Sequence, residues 1–155
     1  LNRAALEKRV QAGERVLIDA SILIAYFERG EALHEIAEIF IDDFVQGGRN
    51  PAVLSPVTAM EMLVGPLRYA PKAARHVHAF MTDTPNLTLL PTDLHVAQDA
   101  ALLTATHNFK AADALIVATG LVAQVGHLVT NDAEWRRKLA PMKRRVQVTE
   151  LRDYL

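Results

Sequence analysis

The 155-residue chain reads as an α/β domain built on a central, mainly parallel sheet of four to five strands. Three observations predict it. Short apolar runs rich in β-branched residues (Val16-Leu17-Ile18, Ala52-Val53-Leu54, Leu128-Val129) alternate along the whole length with segments of helical spacing. Such runs suit strands buried on both faces, the arrangement of a parallel sheet covered by helices. No internal repeat, low-complexity tract or linker divides the sequence, so one domain over 1–155 is expected, with 1–14 as an N-terminal extension.

Residues 1–13 predict a short polar helix ending near Gly13, and Arg15–Asp19 the first strand. Ser21 is the expected cap of a helix over Ile22–Phe27, broken at Gly30. Leu33–Val45 has helical spacing through Leu33, Ile36, Ala37, Phe40, Ile41, Phe44 and Val45. After the Gly47–Pro51 loop comes a strand over Ala52–Ser55. The helix carrying Glu61 follows, expected to stop around Gly65-Pro66. Lys72–Thr82 reads as helix and Leu87–Leu90 as strand. Leu94–Thr106 and Lys110–Val122 read as helices, Gly126–Thr130 as strand, Glu134–Leu139 as a short basic helix, and Arg145–Val148 as the last strand.

Composition excludes several classes of function. There is no cysteine, which removes disulfides, thiolate nucleophiles and cysteine-based zinc or iron–sulfur sites. The six histidines lack a zinc spacing, since His76 and His78 point apart on a helix. No Walker A loop, dinucleotide fingerprint or nucleophile elbow is present. The formal net charge of −1 rules out binding nucleic acid through bulk charge, so any such partner needs local patches or bound metal. No apolar stretch is long enough for a membrane span, and the first residues have no signal-peptide core. A cytoplasmic protein without a membrane partner is expected.

Four acids sit where the chain changes structure type, each beside an apolar run: Asp19, Glu61, Asp113 and Asp132. Alone, each has an ordinary reading. Asp19 and Asp113 suit helix N-termini, Asp132 a turn, and Glu61 a solvent-facing helix position. Together they point to one place, because the carboxyl ends of parallel strands form the ligand-binding edge of an open α/β sheet. Two carboxylates about 5 Å apart repel by roughly 3 kcal/mol at an effective dielectric of about 20. That cost is large against a net stability of about 5–15 kcal/mol. A hard divalent cation relieves it. Mg²⁺ or Mn²⁺ takes oxygen ligands and keeps several waters. Arg136, Arg137 and Lys138, just after Asp132, are the candidate phosphate contacts.

At these residues the chain resembles the PIN-domain family, and within it the small VapC-type toxin ribonucleases, over about residues 15–150. Val16-Leu17-Ile18-Asp19-Ala20-Ser21 is similar to the family's first motif, and Ser55–Gly65, with Glu61 as its acid, to the second. Ala112–Thr119 is similar to the third, and Leu128–Asp132 with Trp135 to the fourth. The chain departs from the shortest members in the residues ahead of its first strand. The resemblance implies a three-layer α/β/α fold and a Mg²⁺- or Mn²⁺-dependent endoribonuclease. Asp19, Glu61, Asp113 and Asp132 would be the acidic quartet, with Ser21, Thr130 and Asn131 as polar support. It also implies a homodimer, and an antitoxin whose tail occupies the catalytic groove. In-line attack would leave a 5′-phosphate and a 3′-hydroxyl.

Two other classes compete. A receiver-like phosphoacceptor domain also places acids at sheet ends, but needs an acidic pair after the first strand, where this chain has Asp19-Ala20-Ser21. A catalytically silent PIN-like scaffold or RNA-binding module is the other. The apolar faces of Ile22–Phe27 and Leu33–Val45 read as core, with a dimer or antitoxin surface as the alternative.

Overall fold

The computed structural model describes residues 1–30 and 32–155. Its centre is a sheet of five short strands: β1 (Val16–Ile18), β2 (Ala52–Leu54), β3 (Leu87–Leu89), β4 (His127–Thr130) and β5 (Gln147–Glu150). They lie in the order β3-β2-β1-β4-β5, every pair parallel. Val16 sits opposite both Ala52 and His127, and Leu17 opposite Val53 and Leu128. The chain builds outward from β1 to β3, then returns to the other side of β1 for β4 and β5. The strand order therefore reverses between β1 and β4.

Side chains alternate across the pleat. Val16, Ile18, Ala52, Leu54 and Val129 enter one core, while Leu17, Val53, Leu128 and Val148 enter the other. The first core is closed by α1 (Arg3–Arg9), α2 (Ala20–Phe27), α3 (His34–Glu38), α4 (Pro56–Tyr69) and α5 (Pro71–Asp83). The second is closed by α6 (Leu94–His107), α7 (Ala111–Val122) and α8 (Ala133–Lys138). The result is three layers, α/β/α, as the motifs imply. Gly120 lets α7 lie close on the sheet, because a Cβ there would stand 2.7 Å from Leu128 Cδ2. No helix among the described residues is long and apolar enough to cross a membrane.

Residues 1–14 are tied into the body. Leu6 and Val10 are fully buried. Arg49 donates to the carbonyls of Val10 (2.6 Å) and Glu7 (3.0 Å), and the Asn50 amide to those of Gln11 (2.7 Å) and Glu14 (2.8 Å).

Five local expectations need correction. The first helix ends at Arg9, well short of Gly13. Asp19, not Ser21, caps α2, accepting from the Ser21 backbone N–H. Leu33–Val45 is not one α-helix: α3 passes into a π-helical segment over Ile39–Gln46, where the Gly47 N–H reaches back to the Asp42 carbonyl. Its apolar pairs, 36/37, 40/41 and 44/45, recur at every fourth residue, longer than the 3.6-residue α period. The wider turn keeps all six on the core, fully buried. That face is core, whereas Ile24 and Phe27 of α2 are exposed. Next, α4 runs through Gly65 and Pro66 to Tyr69 and stops where Pro71 opens α5. Finally, β5 starts two residues late. The N–H groups of Arg145 and Val146 still bond to Met142 in a turn, and pairing begins when the Gln147 N–H reaches the Gly126 carbonyl.

Candidate metal centre

The four acids come to the carboxyl edge of the sheet, around the point where strand order reverses. Asp19 follows β1 and Asp132 follows β4, the two strands that flank the reversal, and each caps the helix after it. Glu61 projects from α4 and Asp113 from the first turn of α7. The ordinary cap reading of Asp19 is thus correct without excluding the site, and Asp132, read as a turn residue, is a cap as well: the cap fixes each carboxylate there.

Asp19 is 7 % exposed and its Oδ2 carries three donors: the hydroxyls of Ser21 (2.6 Å) and Thr130 (2.8 Å) and the Ser21 backbone N–H (3.4 Å). Among the described residues none of its bonds falls on Oδ1. The supporting residues interlock. Ser21 Oγ accepts from the Asn131 N–H at 3.0 Å, and Thr130 Oγ1 from the Asp132 N–H at 3.0 Å. These bonds lock β1 to the turn after β4, so Asp19 and Asp132 are set relative to one another.

Electrostatics show that the acids sense each other. The Glu61 pKa is raised, by burial and then by the negative charges of Asp19 and Asp113. The Asp113 pKa is raised by burial and by Asp132 and Asp19, with Lys138 a smaller opposing influence. The Trp135 indole N–H also lowers it somewhat, though it stands outside strict hydrogen-bonding geometry and has no other protein partner. The Asn131 side-chain amide is buried and unbonded at both its oxygen and its nitrogen.

The donor set is wholly oxygen, with buried polar atoms beside it that lack protein partners. It is also negative beyond what Lys138 offsets. These residues fit a hard divalent cation. Among the described residues no three carboxylates or imidazoles are close enough to enclose an ion by themselves.

The phosphate-contact candidates are less free than their sequence suggests. Arg136 is held by buried Glu150 (3.0 Å) and by Asp153, and Arg137 by Glu134. Lys138 lies 5.1 Å from the centre of the Phe109 ring, next to the acids. Sequence reasoning missed Arg152, which donates to the Asn131 carbonyl and pairs with Glu150 at 3.6 Å, bracing the turn that carries Asp132. No motif marks it, because its role depends on β5 lying beside β4.

The fold and the acidic edge define a PIN-type α/β/α domain. The chain belongs to the PIN domain family, whose model matches residues 16–139. The receiver-like reading is set aside. No curated relative matches the sequence. Solved structures that share the fold include the following three. FitAcB from Neisseria gonorrhoeae is 19 % identical with a TM-score of 0.67, covering 88 % of this chain and 97 % of that one. DNA-bound VapBC from Salmonella typhimurium is 18 % identical with a TM-score of 0.66, covering 89 % and 98 %. A sarcin-ricin loop cleaving VapC toxin from Mycobacterium tuberculosis is 17 % identical with a TM-score of 0.62, covering 76 % and 90 %.

Proposed function

We propose that the chain is a Mg²⁺- or Mn²⁺-dependent endoribonuclease and the toxin of a VapBC-type pair, acting in the cytoplasm as a homodimer and silenced by an antitoxin. One observation carries the reading: the four acids gather at the strand-order reversal, where the charges of Asp19, Asp113 and Asp132 add to burial in raising the pKa of Glu61 or Asp113. The similarity to VapC and FitAB structures supports the toxin and its partner.

Asp19, Asp113 and Asp132 would hold the metal, directly or through its waters, and Glu61 completes the set. The bound cation supplies charge neutralisation and an activated water at the phosphodiester. The chain's own residues do the positioning. Ser21 and Thr130 fix the Asp19 carboxylate through Oδ2. Arg152 fixes the Asn131–Asp132 turn from behind. Glu61, made more basic by its surroundings, orients the attacking water. The water oxygen would bond to phosphorus as the bond to the 3′ oxygen breaks, the water giving up a proton to solvent and the leaving 3′ oxygen taking one from solvent, so that a 5′-phosphate and a 3′-hydroxyl remain.

The test is incubation with structured RNA in Mg²⁺, in Mn²⁺ and in EDTA. Cleavage in the metals and none in EDTA is expected. No cleavage of any RNA would overturn the proposal in favour of a silent RNA-binding scaffold.

A further inference from the structure

A concavity of about 490 Å³, lined by none of the four acids, lies between the C-terminal end of α8 and the outer edge of β5. Arg9, Arg136, Lys143 and Arg144 line it, and no carboxylate does. In a chain with 18 acidic and 17 basic residues, an all-cationic rim is a local departure from the mean. Arg136 is neutralised by Glu150 and Asp153, but Lys143 and Arg144 are exposed and form no ion pair among the described residues. Arg9 is exposed and spends one N–H on the Val148 carbonyl at 3.2 Å. The floor is apolar, formed by Leu139, Val146 and Val148.

Position connects this cleft to the acids. Asp132 caps α8, and Leu139, the residue that ends it, lines the cleft. The six residues of α8 span roughly 9 Å at about 1.5 Å each. A single strand that crosses the acids and follows α8 would reach the cleft over about that distance. The acidic edge repels phosphates wherever metal does not neutralise it, and the net charge supplies no general attraction. The free cations closest along the chain to α8 supply it locally. Cations also protect exposed sheet edges. That accounts for Arg9 on Val148 but not for Lys143 and Arg144, which lie in the turns before β5. Arg9, Lys143 and Arg144 all fall outside the family match, so nothing in the family pattern assigns them.

We infer that this cleft, rimmed by Arg9, Lys143 and Arg144, is a second nucleic-acid site that grips the phosphate backbone of single-stranded RNA beside the acidic centre. Its substrate class rests on the ribonuclease reading above. The grip is electrostatic and indifferent to sequence, with the apolar floor available to bases.

The experiment is anisotropy of a labelled 20-nucleotide RNA in EDTA across a NaCl series, for wild type, Lys143→Ala/Arg144→Ala, and a control Arg68→Ala/Arg75→Ala on α4 and α5, outside the cleft lining. Circular dichroism and Tm check folding. The cleft variant is expected to bind roughly tenfold more weakly in dilute salt. Its log–log salt slope should fall by about 1.4, or about 0.7 per lost phosphate contact. The control should match wild type. In Mg²⁺ the same variant should raise KM for the long RNA and leave a short RNA, confined to the acids, unchanged. Equal affinity and slope in wild type and cleft variant, or no RNA binding by wild type, would overturn the inference. Acidic-peptide binding without RNA binding would overturn it in favour of a protein partner. If RNA binds with the expected slopes yet is never cleaved, the cleft stands and the ribonuclease reading falls.

Discussion

The two ends of the sheet solve opposite problems. At the amino end, polar groups are buried in pairs. Asn50 is fully buried and gives both amide hydrogens to carbonyls of the N-terminal segment. His127 is 2 % exposed, bonded to Glu14 through Nε2 (3.0 Å) and to Thr149 through Nδ1 (2.9 Å). A carboxylate only accepts, so Nε2 carries the proton and Nδ1 accepts from the Thr149 hydroxyl. Burial lowers the His127 pKa despite Glu14, so at neutral pH the imidazole is uncharged and the contact is a hydrogen bond to a carboxylate rather than an ion pair. At the carboxyl end, like charges face one another and buried polar atoms lack partners. One end is satisfied and stabilises the fold. The other keeps an unmet electrostatic demand, which is what a site for a cation requires.

Substitutions at the two ends should separate activity from stability. The largest effect is expected from Asp19→Asn, which removes a charge while keeping a group able to accept from Ser21 and Thr130. Cleavage should fall at least about a thousandfold, since a metal supplies several kcal/mol and about 1.36 kcal/mol is a decade. The circular dichroism spectrum should be unchanged, and wild-type turnover would remove Asp19 from the site. At the other end, Asn50→Ala should cost about 3 kcal/mol through the carbonyls it orphans, roughly 9 °C in Tm. Mn²⁺ affinity in that variant should equal wild type; a parallel loss would mean the ends are not independent.

Smaller effects concern pH. The folded His127 pKa lies below its ordinary 6.5, so the unfolded chain takes up the proton first. Its stabilisation is present above about pH 6.5 and is lost as pH falls through the folded pKa. His127→Gln should flatten the acid limb of the Tm–pH curve, and an unchanged limb would contradict the assignment. The acids at the carboxyl end run the other way. Glu61 and Asp113 have folded pKa values above their ordinary ones, so their contribution is present at low pH and lost as pH rises through the folded values. In EDTA at pH 7, Glu61→Gln should therefore be slightly more stable than wild type, by thermal melting. A lower Tm would show that the carboxylate is already compensated within the protein.

The acids, their order and the parallel layout were legible because each acid borders a β-branched or Ala-rich apolar run, where a charge needs a reason. The π-helical segment was not, since its four-residue repeat passes for an α pattern over so short a span. Ser21 looked like a cap because hydroxyls usually are; only the closeness of β1 to the turn after β4 shows its hydroxyl bridging Asp19 and Asn131. Arg136 and Arg137 looked free because Glu150 and Asp153 lie 14 and 17 residues beyond Arg136, and the pairing of Arg137 with Glu134 depends on α8 forming. The brace from Arg152 was invisible for the same reason.

Titration of Mn²⁺ into wild type and Asp113→Asn at pH 7, followed by Tm, tests most directly whether the carboxyl edge is a cation site. Wild type should gain Tm with added metal and saturate, while the variant, relieved of one charge, should start no lower and gain far less. Equal gains in the two proteins, or none in wild type, would contradict the metal centre.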